Sequence, residues 1–539
     1  MLYILDYGAG NVASLSNSIT SLGHAFRWIE NASDLDAATS LIFPGVGAFE
    51  SAIQHLSRRG LLEPLRQYIL SGRPYFGICI GMQVLFQSSD EAASPGLGVI
   101  PCSIHRFEDT DKAVPHIGWN AADLFDASDA AYYYFVHSYC AKYDPDKFPQ
   151  AAEWTHATTQ YGREIFVSMV RKGNVFGTQF HPEKSGRAGL ALLDGWLRGE
   201  GTAHPQEAAP RIPRSVDPKR GLTKRIVACM DVRANDQGDL VVTKGDQYDV
   251  REKADSLATT TAGAVRNLGK PVALAARYYE AGADELCLLN ITSFRHSPLQ
   301  DQPMIAVVRA AAERLFIPLT IGGGIKDTID PDGTSHSALE VASAYFRAGA
   351  DKVSIGSEAV YAVERLRARD NVPDGTSAIE TIAHAYGRQA VVVSIDPRRT
   401  YLDKPEDAGH RAAEVIQGTY GKAWWYQCTV SGGRETRPLS VVELARGVEL
   451  LGAGELLVNS IDRDGTGLGF DLDLLKLVKG AVRIPVVASS GAGSPTHFID
   501  AFAETNVEAA LAAGIFHREE VGIGEVKGAL RAVGIHVRS

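Results

Sequence analysis

One cysteine in this sequence stands between two glycines, in Gly77-Ile78-Cys79-Ile80-Gly81. Residues 73–76 predict a short buried strand before it, and Val84-Leu85-Phe86 continues an apolar helical face after it. A cysteine on such a turn exposes its sulfur at the start of the helix, where backbone amides and the helix dipole favour a thiolate. We expect Gly77 and Gly81 to permit the strained bend. Cys79 is therefore predicted to be a nucleophile; the alternative is an ordinary buried cysteine.

A histidine and a glutamate follow a second strand-like segment, at residues 175–180. In an extended chain, positions two apart share a face, so His181 and Glu183 can point the same way. A cysteine nucleophile needs a base to take its proton and a third group to orient that base, and this pair fits both roles. Taken alone, the pair could equally be a core histidine beside a solvated glutamate. With Cys79 and the amide-rich turn Gly45-Val46-Gly47, it predicts a catalytic triad.

The segments around these residues alternate between strands, glycine-rich turns and helices. Tyr3-Ile4-Leu5-Asp6 leads through a glycine turn into an amphipathic run ending at Leu22, and Leu41-Ile42-Phe43 runs into Pro44-Gly45. This alternation is typical of an α/β fold with a mostly parallel sheet and flanking helices, in which active groups lie at the carboxyl ends of strands.

Composition limits the class of protein. At 539 residues the chain is too long for one core. The net charge of −10, without a long basic run, argues against a nucleic-acid partner. Six cysteines without a C-x-x-C pair indicate neither a disulfide framework nor a structural metal site. No targeting segment or membrane-length apolar run is evident, so we expect a cytoplasmic protein without a membrane partner.

The chain is predicted to divide into two domains. Residues 201–222 contain four prolines among small and polar residues and indicate a linker. Residues 1–200 and 223–539 would then fold separately.

The second region contains an internal repeat: Asp231 is echoed by Asp396, Glu285 by Glu455, and Ile317 by Ile484, at offsets of about 165 to 170 residues. Two similar halves of about four βα units each predict a (β/α)8 TIM barrel built of two half-barrels.

The repeat places two carboxylates at the ends of the first and fifth barrel strands, where catalysis in such barrels occurs. Asp231 and Asp396 could act as general acid and general base if their environments separate their pKa values. The alternative is that each caps a turn or forms an ion pair.

Glycine-rich turns suggest phosphate sites on both halves. Ser490-Gly491-Ala492-Gly493 with Ala513-Gly514 is one, and Gly322-Gly323-Gly324 with Gly356-Ser357 is its copy. Backbone amides at such turns can hold phosphate, so two of them predict a long substrate phosphorylated at both ends. The alternative is that the glycines merely permit tight turns.

These motifs resemble two families. Residues 43–47, the segment Pro115-His116-Ile117-Gly118-Trp119-Asn120 and His181-Pro182-Glu183-Lys184 are similar to class I glutamine amidotransferases, most of all to the glutaminases of histidine biosynthesis. The second domain resembles the cyclases of the imidazole glycerol phosphate synthases. Both on one chain are typical of the fused fungal and plant form of that family.

The resemblance implies a bifunctional lyase and hydrolase of histidine biosynthesis that needs no cofactor or metal. Its glutaminase domain would release ammonia from glutamine through Cys79, His181 and Glu183. Ammonia would pass through the barrel to a bisphosphorylated ribulosyl aminoimidazole carboxamide nucleotide (PRFAR). Asp231 and Asp396 would then serve in ring closure, giving imidazole glycerol phosphate and aminoimidazole carboxamide ribotide (AICAR). The two domains would dock within a monomer, with glutamine and PRFAR as small-molecule substrates.

The same resemblance implies binding residues. Those expected to hold glutamine and its oxyanion are Gly45, Val46, Gly47, Ile80, Gln83, Glu91, His137, Ser138 and Tyr139. Those expected to hold PRFAR are Lys244, Thr292, Gly323, Gly356, Ser357, Asp464, Gly465, Ser490, Gly491, Ala513 and Gly514. Gly356-Ser357 stands where the bacterial pattern has Asn-Thr, so the chain departs there from the family's side-chain phosphate contact.

Four charged residues begin predicted barrel strands, and we call them the gate residues: Arg225, Glu285, Lys352 and Glu455. At the bottom of a barrel such residues usually stabilise the fold through salt bridges. The family resemblance implies a second role, in which they control the passage of ammonia.

Two other functions remain open from the sequence. A barrel isomerase of the same pathway shares the half-barrel repeat and the paired aspartates but uses no ammonia. A glutamine-sensing scaffold would have inactive sites, against which the full set of predicted catalytic residues argues.

Overall fold

The computed structural model describes residues 1–8, 10–45, 47–125, 131–199, 212–217, 221–234, 240–243, 271–291, 299, 303–418 and 421–538. The predicted site residues Val46, Lys244 and Thr292 and much of the predicted linker lie outside these ranges. The chain forms two compact units: residues 1–223 with 312–317 and 384–389, and residues 224–311 with 318–383 and 390–539. Across the described ranges, no helix has both the length and the apolar character to span a bilayer.

The first unit is an α/β structure. Its strands are β1 (Leu2–Ile4), β2 (Phe26–Trp28), β3 (Ser40–Phe43), β4 (Tyr75–Ile78), β5 (Phe86–Ser89), β6 (Ile100–Arg106), β7 (His116–Leu124), β8 (Ala131–His137), β9 (Tyr139–Cys140), β10 (Thr155–Tyr161), β11 (Glu164–Lys172) and β12 (Val175–Thr178). Its helices are α1 (Val12–Ser21), α2 (Ala32–Ala37), α3 (Phe49–Arg58), α4 (Leu62–Leu70), α5 (Ile80–Gln83), α6 (Pro149–Ala152) and α7 (Gly186–Leu197), with a 3-10 turn at Pro182–Lys184.

A nine-stranded sheet organises this unit, in the order β2-β1-β3-β4-β12-β11-β10-β7-β8. The strands from β2 to β12 pair in parallel, and the pairings beyond β12 are antiparallel. Alternate side chains enter the cores on opposite faces: Tyr75 packs with α3 and α4, whereas Phe76 packs with α1 and α7. Because β4 and β12 are parallel neighbours, Cys79 and His181, which follow them, are carried to the same edge.

The second unit contains the remaining elements. Its strands are β13 (Arg225–Ala234), β14 (Leu240–Thr243), β15 (Glu285–Asn290), β16 (Leu319–Gly322), β17 (Thr328–Ile329), β18 (Ser335–His336), β19 (Lys352–Ile355), β20 (Val391–Ile395), β21 (Pro397–Leu402), β22 (Ile416–Gln417), β23 (Ala423–Val430), β24 (Glu435–Ser440), β25 (Glu455–Asn459), β26 (Val486–Ser489) and β27 (Ala509–Ala512). The helices along the same stretch of chain are α8 (Pro271–Glu280), α9 (Pro303–Ala312), α10 (Ala338–Ala348), α11 (Ser357–Arg367), α12 (Ala378–Tyr386), α13 (Val441–Leu451), α14 (Leu472–Ala481), α15 (Pro495–Thr505), α16 (Gly514–His517) and α17 (Ile523–Ala532).

The parallel strands β13, β15, β16, β19, β20, β25, β26 and β27 form a closed barrel, because β27 pairs back onto β13. Apolar side chains fill its interior, among them Val227, Val392, Leu457 and Val487. The predicted (β/α)8 barrel of two half-barrels is confirmed.

Two insertions that the sequence left without a structural assignment are antiparallel. Residues 327–337 contain the β17–β18 hairpin. Residues 401–437 contribute to a sheet in which β21, β22 and β24 all pair with β23. The β23–β24 hairpin is fixed to the barrel, since the Ser431 amide donates to Ser357 Oγ at 2.9 Å.

Candidate active sites

Cys79 lies on the turn between β4 and α5, as predicted, but the origin of the strain differs from our expectation. Cys79 itself has a positive φ of 51°, with ψ of −104°, whereas Gly77 and Gly81 have no positive φ. These glycines are needed for close packing instead. A Cβ on Gly77 would overlap the carbonyl of Gly81, and one on Gly81 would overlap the carbonyl of Phe43.

His181 and Glu183 form the predicted contact, with His181 Nδ1 2.8 Å from Glu183 Oε1. The local geometry differs from prediction, because Glu183 lies in a 3-10 turn and not in an extended segment. Burial opposes a charged imidazole, but the charges of Glu183 and Cys79 outweigh it and raise the pKa of His181 to about 10. His181 Nε2 has no hydrogen-bond partner among the described residues. The site therefore favours a charged imidazole beside Cys79.

Several residues predicted to hold glutamine already have protein partners. Gln83 Nε2 donates to the backbone oxygen of Tyr139 and to Gln179 Oε1, both at 3.0 Å. Glu91 Oε2 accepts from the Phe49 amide at 2.9 Å, and burial raises the pKa of Glu91 to about 7. Their roles toward glutamine stay predictions.

The segment His137-Ser138-Tyr139 is similarly engaged. His137 contacts the backbone oxygen of Tyr139 through Nδ1 at 2.8 Å and His116 through Nε2 at 3.1 Å. Burial lowers the pKa of His137 to about 3, so its ring is neutral. The Ser138 backbone oxygen accepts from the Phe107 amide at 3.0 Å.

Gly45, which belongs to the turn predicted to stabilise the oxyanion, packs directly on the turn that carries Cys79. A Cβ on Gly45 would lie 2.5 Å from Ile80 Cβ, so only glycine permits this approach. The Ile80 amide occupies the first position of α5, and Gly47 has a φ of 151°. This placement is compatible with the predicted oxyanion role of the Ile80 amide and the loop.

The second site is a cavity of about 450 Å³ in the barrel mouth. The predicted residues that line it are Asp231, Gly323, Gly356, Ser357, Asp396, Asp464, Ser490 and Ala513. Gly465, Gly491 and Gly514 do not line this cavity. Gly491 instead lies against the backbone of Gly469, where a Cβ would overlap the carbonyl oxygen. The structure thus brings both repeat-related carboxylates and both predicted phosphate turns to one cavity.

The two aspartates have different surroundings. Burial, with a smaller contribution from the charge of Asp464, raises the pKa of Asp231 to about 7. Burial also raises the pKa of Asp396, but Asn459 Nδ2 donates to Asp396 Oδ1 at 2.8 Å and opposes that rise. Asn459 is a cavity residue that sequence reasoning missed, although it stands in a segment that repeats Asn290. Lys326 and Arg434 also line the cavity and were not predicted.

The gate residues meet at the amino ends of the barrel strands and are buried. Glu285 lies 2.6 Å from both Arg225 and Lys352, and Lys352 lies 2.6 Å from Glu455. Arg225 also contacts Glu455. Although burial opposes ionisation, Lys352 and Arg225 lower the pKa of Glu285. The four side chains form one closed set of ion pairs.

Two protein families match different parts of the chain. The family described as glutamine amidotransferase class-I matches residues 3–195, and the one described as histidine biosynthesis protein matches residues 225–522.

Three relatives carry the name imidazole glycerol phosphate synthase hisHF. The protein from Emericella nidulans is 52% identical over 100% of this chain and 98% of its own. The protein from Schizosaccharomyces pombe is 52% identical over 99% of each chain. The Arabidopsis thaliana protein, named chloroplastic, is 50% identical over 99% of this chain and 89% of its own. The resemblance inferred from the motifs is confirmed, and the chain belongs to the imidazole glycerol phosphate synthase hisHF family, a family of enzymes that join an amidotransferase domain and a histidine-biosynthesis barrel.

Proposed function

We propose that this chain hydrolyses glutamine in its first unit and uses the ammonia in its barrel to convert PRFAR into imidazole glycerol phosphate and AICAR. The relatives' shared name supports this reaction. The observation that carries the proposal is the presence on one chain of the buried Cys79–His181–Glu183 arrangement and of a cavity lined by Asp231 and Asp396.

In the glutaminase step, the Cys79 thiolate attacks the side-chain carbonyl carbon of glutamine. The carbon–nitrogen bond breaks as imidazolium His181 gives its proton to the departing nitrogen, leaving a glutamyl thioester and ammonia. Water then hydrolyses the thioester, with His181 as base. Glu183 holds the imidazole orientation throughout. Amides of Ile80 and of the Gly45–Gly47 loop stabilise the oxyanion, by about 3 kcal/mol for each donor.

In the barrel, the unequal surroundings of the two aspartates support different roles for them. Asp231, with a pKa raised to about 7, is the better proton donor at neutral pH. Asp396 receives a hydrogen bond from Asn459 that favours its charged form, and it serves as the base. The cavity turns at Gly323, Gly356 and Ser490 would hold the two phosphates of PRFAR.

Ammonia would enter the barrel where the gate residues meet. The interior beyond them is apolar, formed by Val227, Val392, Leu457 and Val487. Burying an unpaired ammonium ion there is costly, so neutral ammonia is the species that crosses. This neutral form is also the nucleophile.

We place this function in the cytoplasm, in a monomer without a nucleic-acid partner. The six cysteines are free and buried, which suits a reducing compartment. The Arabidopsis thaliana relative is named chloroplastic, so the location of this chain needs a test of its own. Fractionation of cells followed by immunodetection of this chain tests the location.

The decisive experiment is Cys79→Ala, with Cys102→Ala as a control at another buried thiol. Glutamine-dependent formation of imidazole glycerol phosphate should disappear in Cys79→Ala, while formation from added ammonium salts persists. Cys102→Ala should retain both activities. Loss of both activities in a folded Cys79→Ala would contradict two separate sites. Turnover of the nucleotide without any nitrogen source would favour an isomerase, and absence of all turnover in the unmutated protein would favour a scaffold.

A further inference from the structure

The sulfur of Cys79 has a polar neighbour besides His181. The side-chain nitrogen Nε2 of Gln179 donates to Cys79 Sγ at 3.6 Å, across 100 residues of sequence, and Gln179 is fully buried. We infer that Gln179 is a positioning residue whose N–H group holds the Cys79 sulfur as a thiolate aimed for attack. This inference rests on the proposed role of Cys79 as the glutaminase nucleophile.

Gln83 fixes which end of the Gln179 amide faces the sulfur. Gln83 Nε2 donates to the backbone oxygen of Tyr139 and to Gln179 Oε1, both at 3.0 Å. A backbone carbonyl can only accept, so Gln83 must present its nitrogen to Tyr139. The oxygen of Gln179 is then the group that faces Gln83, which leaves the Gln179 nitrogen to face Cys79.

The same carbonyl of Tyr139 is tied to a buried pair of histidines. His137 Nδ1 donates to this carbonyl at 2.8 Å, and its Nε2 therefore accepts from His116 Nδ1 at 3.1 Å in a neutral ring. His116 Nε2 lies 3.2 Å from Asn120 Nδ2, and Asn120 Oδ1 accepts from the Ala121 amide at 2.9 Å. This series of hydrogen bonds runs from the Ala121 amide, which can only donate, to the Tyr139 backbone oxygen, which can only accept. Each hydrogen bond between them therefore has one possible direction.

An N–H donor with a fixed direction has a chemical consequence at the sulfur. It stabilises a charged sulfur more than the uncharged sulfur of a thioester, as charge-assisted hydrogen bonds are the stronger ones. Gln179 therefore favours the free thiolate before attack and after hydrolysis. A carboxylate at position 179 would instead repel the thiolate.

The test measures the thiolate directly, without glutamine. Alkylation of Cys79 by iodoacetamide is followed by mass spectrometry as a function of pH, with folding checked by circular dichroism. In Gln179→Leu the midpoint of the alkylation profile should move up by about one pH unit, and kcat with glutamine should fall about tenfold with KM changed less than about twofold. Gln179→Glu should move the midpoint further in the same direction. Gln160→Leu is the control, since among the described residues the Gln160 side-chain amide binds backbone groups of Gly162 and Asp217 and does not contact Cys79. Its alkylation profile should be unchanged.

A second variant, Gln83→Leu, distinguishes positioning of the Gln179 amide from binding of glutamine. It also replaces Gln179→Leu in the test if that protein does not fold. Loss of Gln83 should move the alkylation profile upward even without glutamine, whereas a residue that only binds glutamine would change KM alone. An unchanged alkylation profile in folded Gln179→Leu, or a change in KM alone in Gln83→Leu, would overturn the inference. Retained glutamine turnover in Cys79→Ala would instead overturn the proposed function, whatever Gln179 does.

Discussion

Cys79, His181 and Glu183 are each at most 5% exposed, so their charges interact in a site from which most water is excluded. Interactions between charges strengthen as the effective dielectric constant falls. The raised pKa of His181 is the result of this opposition between burial and its two negative neighbours. At the residue scale, the glutaminase site therefore depends on the carboxylate that compensates the imidazolium.

Replacing that carboxylate should reveal the dependence. Glu183→Gln removes the charge that contributes most to raising the pKa of His181. The imidazolium should then lose its proton at lower pH, so the alkaline limb of glutamine hydrolysis moves to lower pH. kcat should fall by about 10² to 10⁴, as measured in a pH–rate profile. Glu153→Gln, at an exposed pair with Lys172, should leave the profile unchanged; an unshifted alkaline limb in Glu183→Gln would contradict this account.

A second residue-scale prediction concerns Asn459. Asn459→Ala removes the hydrogen bond that lowers the pKa of Asp396, so this pKa should rise. Less of the base is then ionised near neutral pH, and the acid limb of ammonia-driven turnover should move to higher pH. Turnover at pH 7 should fall about tenfold when expressed per free NH3. If the acid limb of Asn459→Ala lies at the same pH as that of the unmutated protein, Asn459 does not act through Asp396.

At the scale of elements, close backbone contacts hold the turn between β4 and α5 in place. Gly45 and Gly81 lie where the turn after β4 meets the end of β3, and Gly77 lies against the carbonyl of Gly81, so no side chain fits at these three positions. Such contacts fix the start of α5, where the Ile80 amide is proposed to stabilise the oxyanion. Close packing, and not conformational freedom alone, explains the glycines of the motif.

Gly81→Ala should therefore damage both stability and chemistry in the first unit. Overpacking against the Phe43 carbonyl should cost about 1–3 kcal/mol and lower glutamine hydrolysis, as measured by thermal unfolding and by glutamate release. Gly480→Ala is the control, because this glycine lies in α14 with no atoms close to the added Cβ. That change should stabilise the protein slightly or not at all. Equal effects of the two substitutions would argue against close packing as the reason for Gly81.

At the scale of the whole molecule, the gate residues are where barrel stability and the proposed ammonia route coincide. Four strands contribute one charged side chain each, and the four charges neutralise one another in a buried place. Removing one member of such a set leaves an uncompensated buried charge. A salt-bridge role and a gating role both predict destabilisation, and they differ in how ammonia is used.

Lys352→Met distinguishes these roles. It should destabilise the barrel by about 3–5 kcal/mol in urea unfolding, whereas Lys476→Met, at an exposed ion pair with Glu504, should have no measurable effect. If the gate residues direct ammonia, Lys352→Met should also consume more than one glutamine per imidazole glycerol phosphate formed. A ratio that stays at one, with the stability loss, would assign these residues to stability alone.

The sequence by itself determined the nucleophile turn, the His181–Glu183 contact, the doubled barrel and the placement of Asp231 and Asp396 in one cavity. Each follows from local spacing or from a repeat, and strand periodicity carries such residues to predictable edges. The tertiary structure alone decided that Cys79 and not its glycines carries the strained φ, that Asn459 distinguishes two repeat-related aspartates, and that Gln179 donates to the sulfur. Those features depend on contacts between residues far apart in the chain, such as the 100 residues that separate Gln179 from Cys79. Local sequence cannot specify them, because the direction of a buried hydrogen bond is set by every partner in its network.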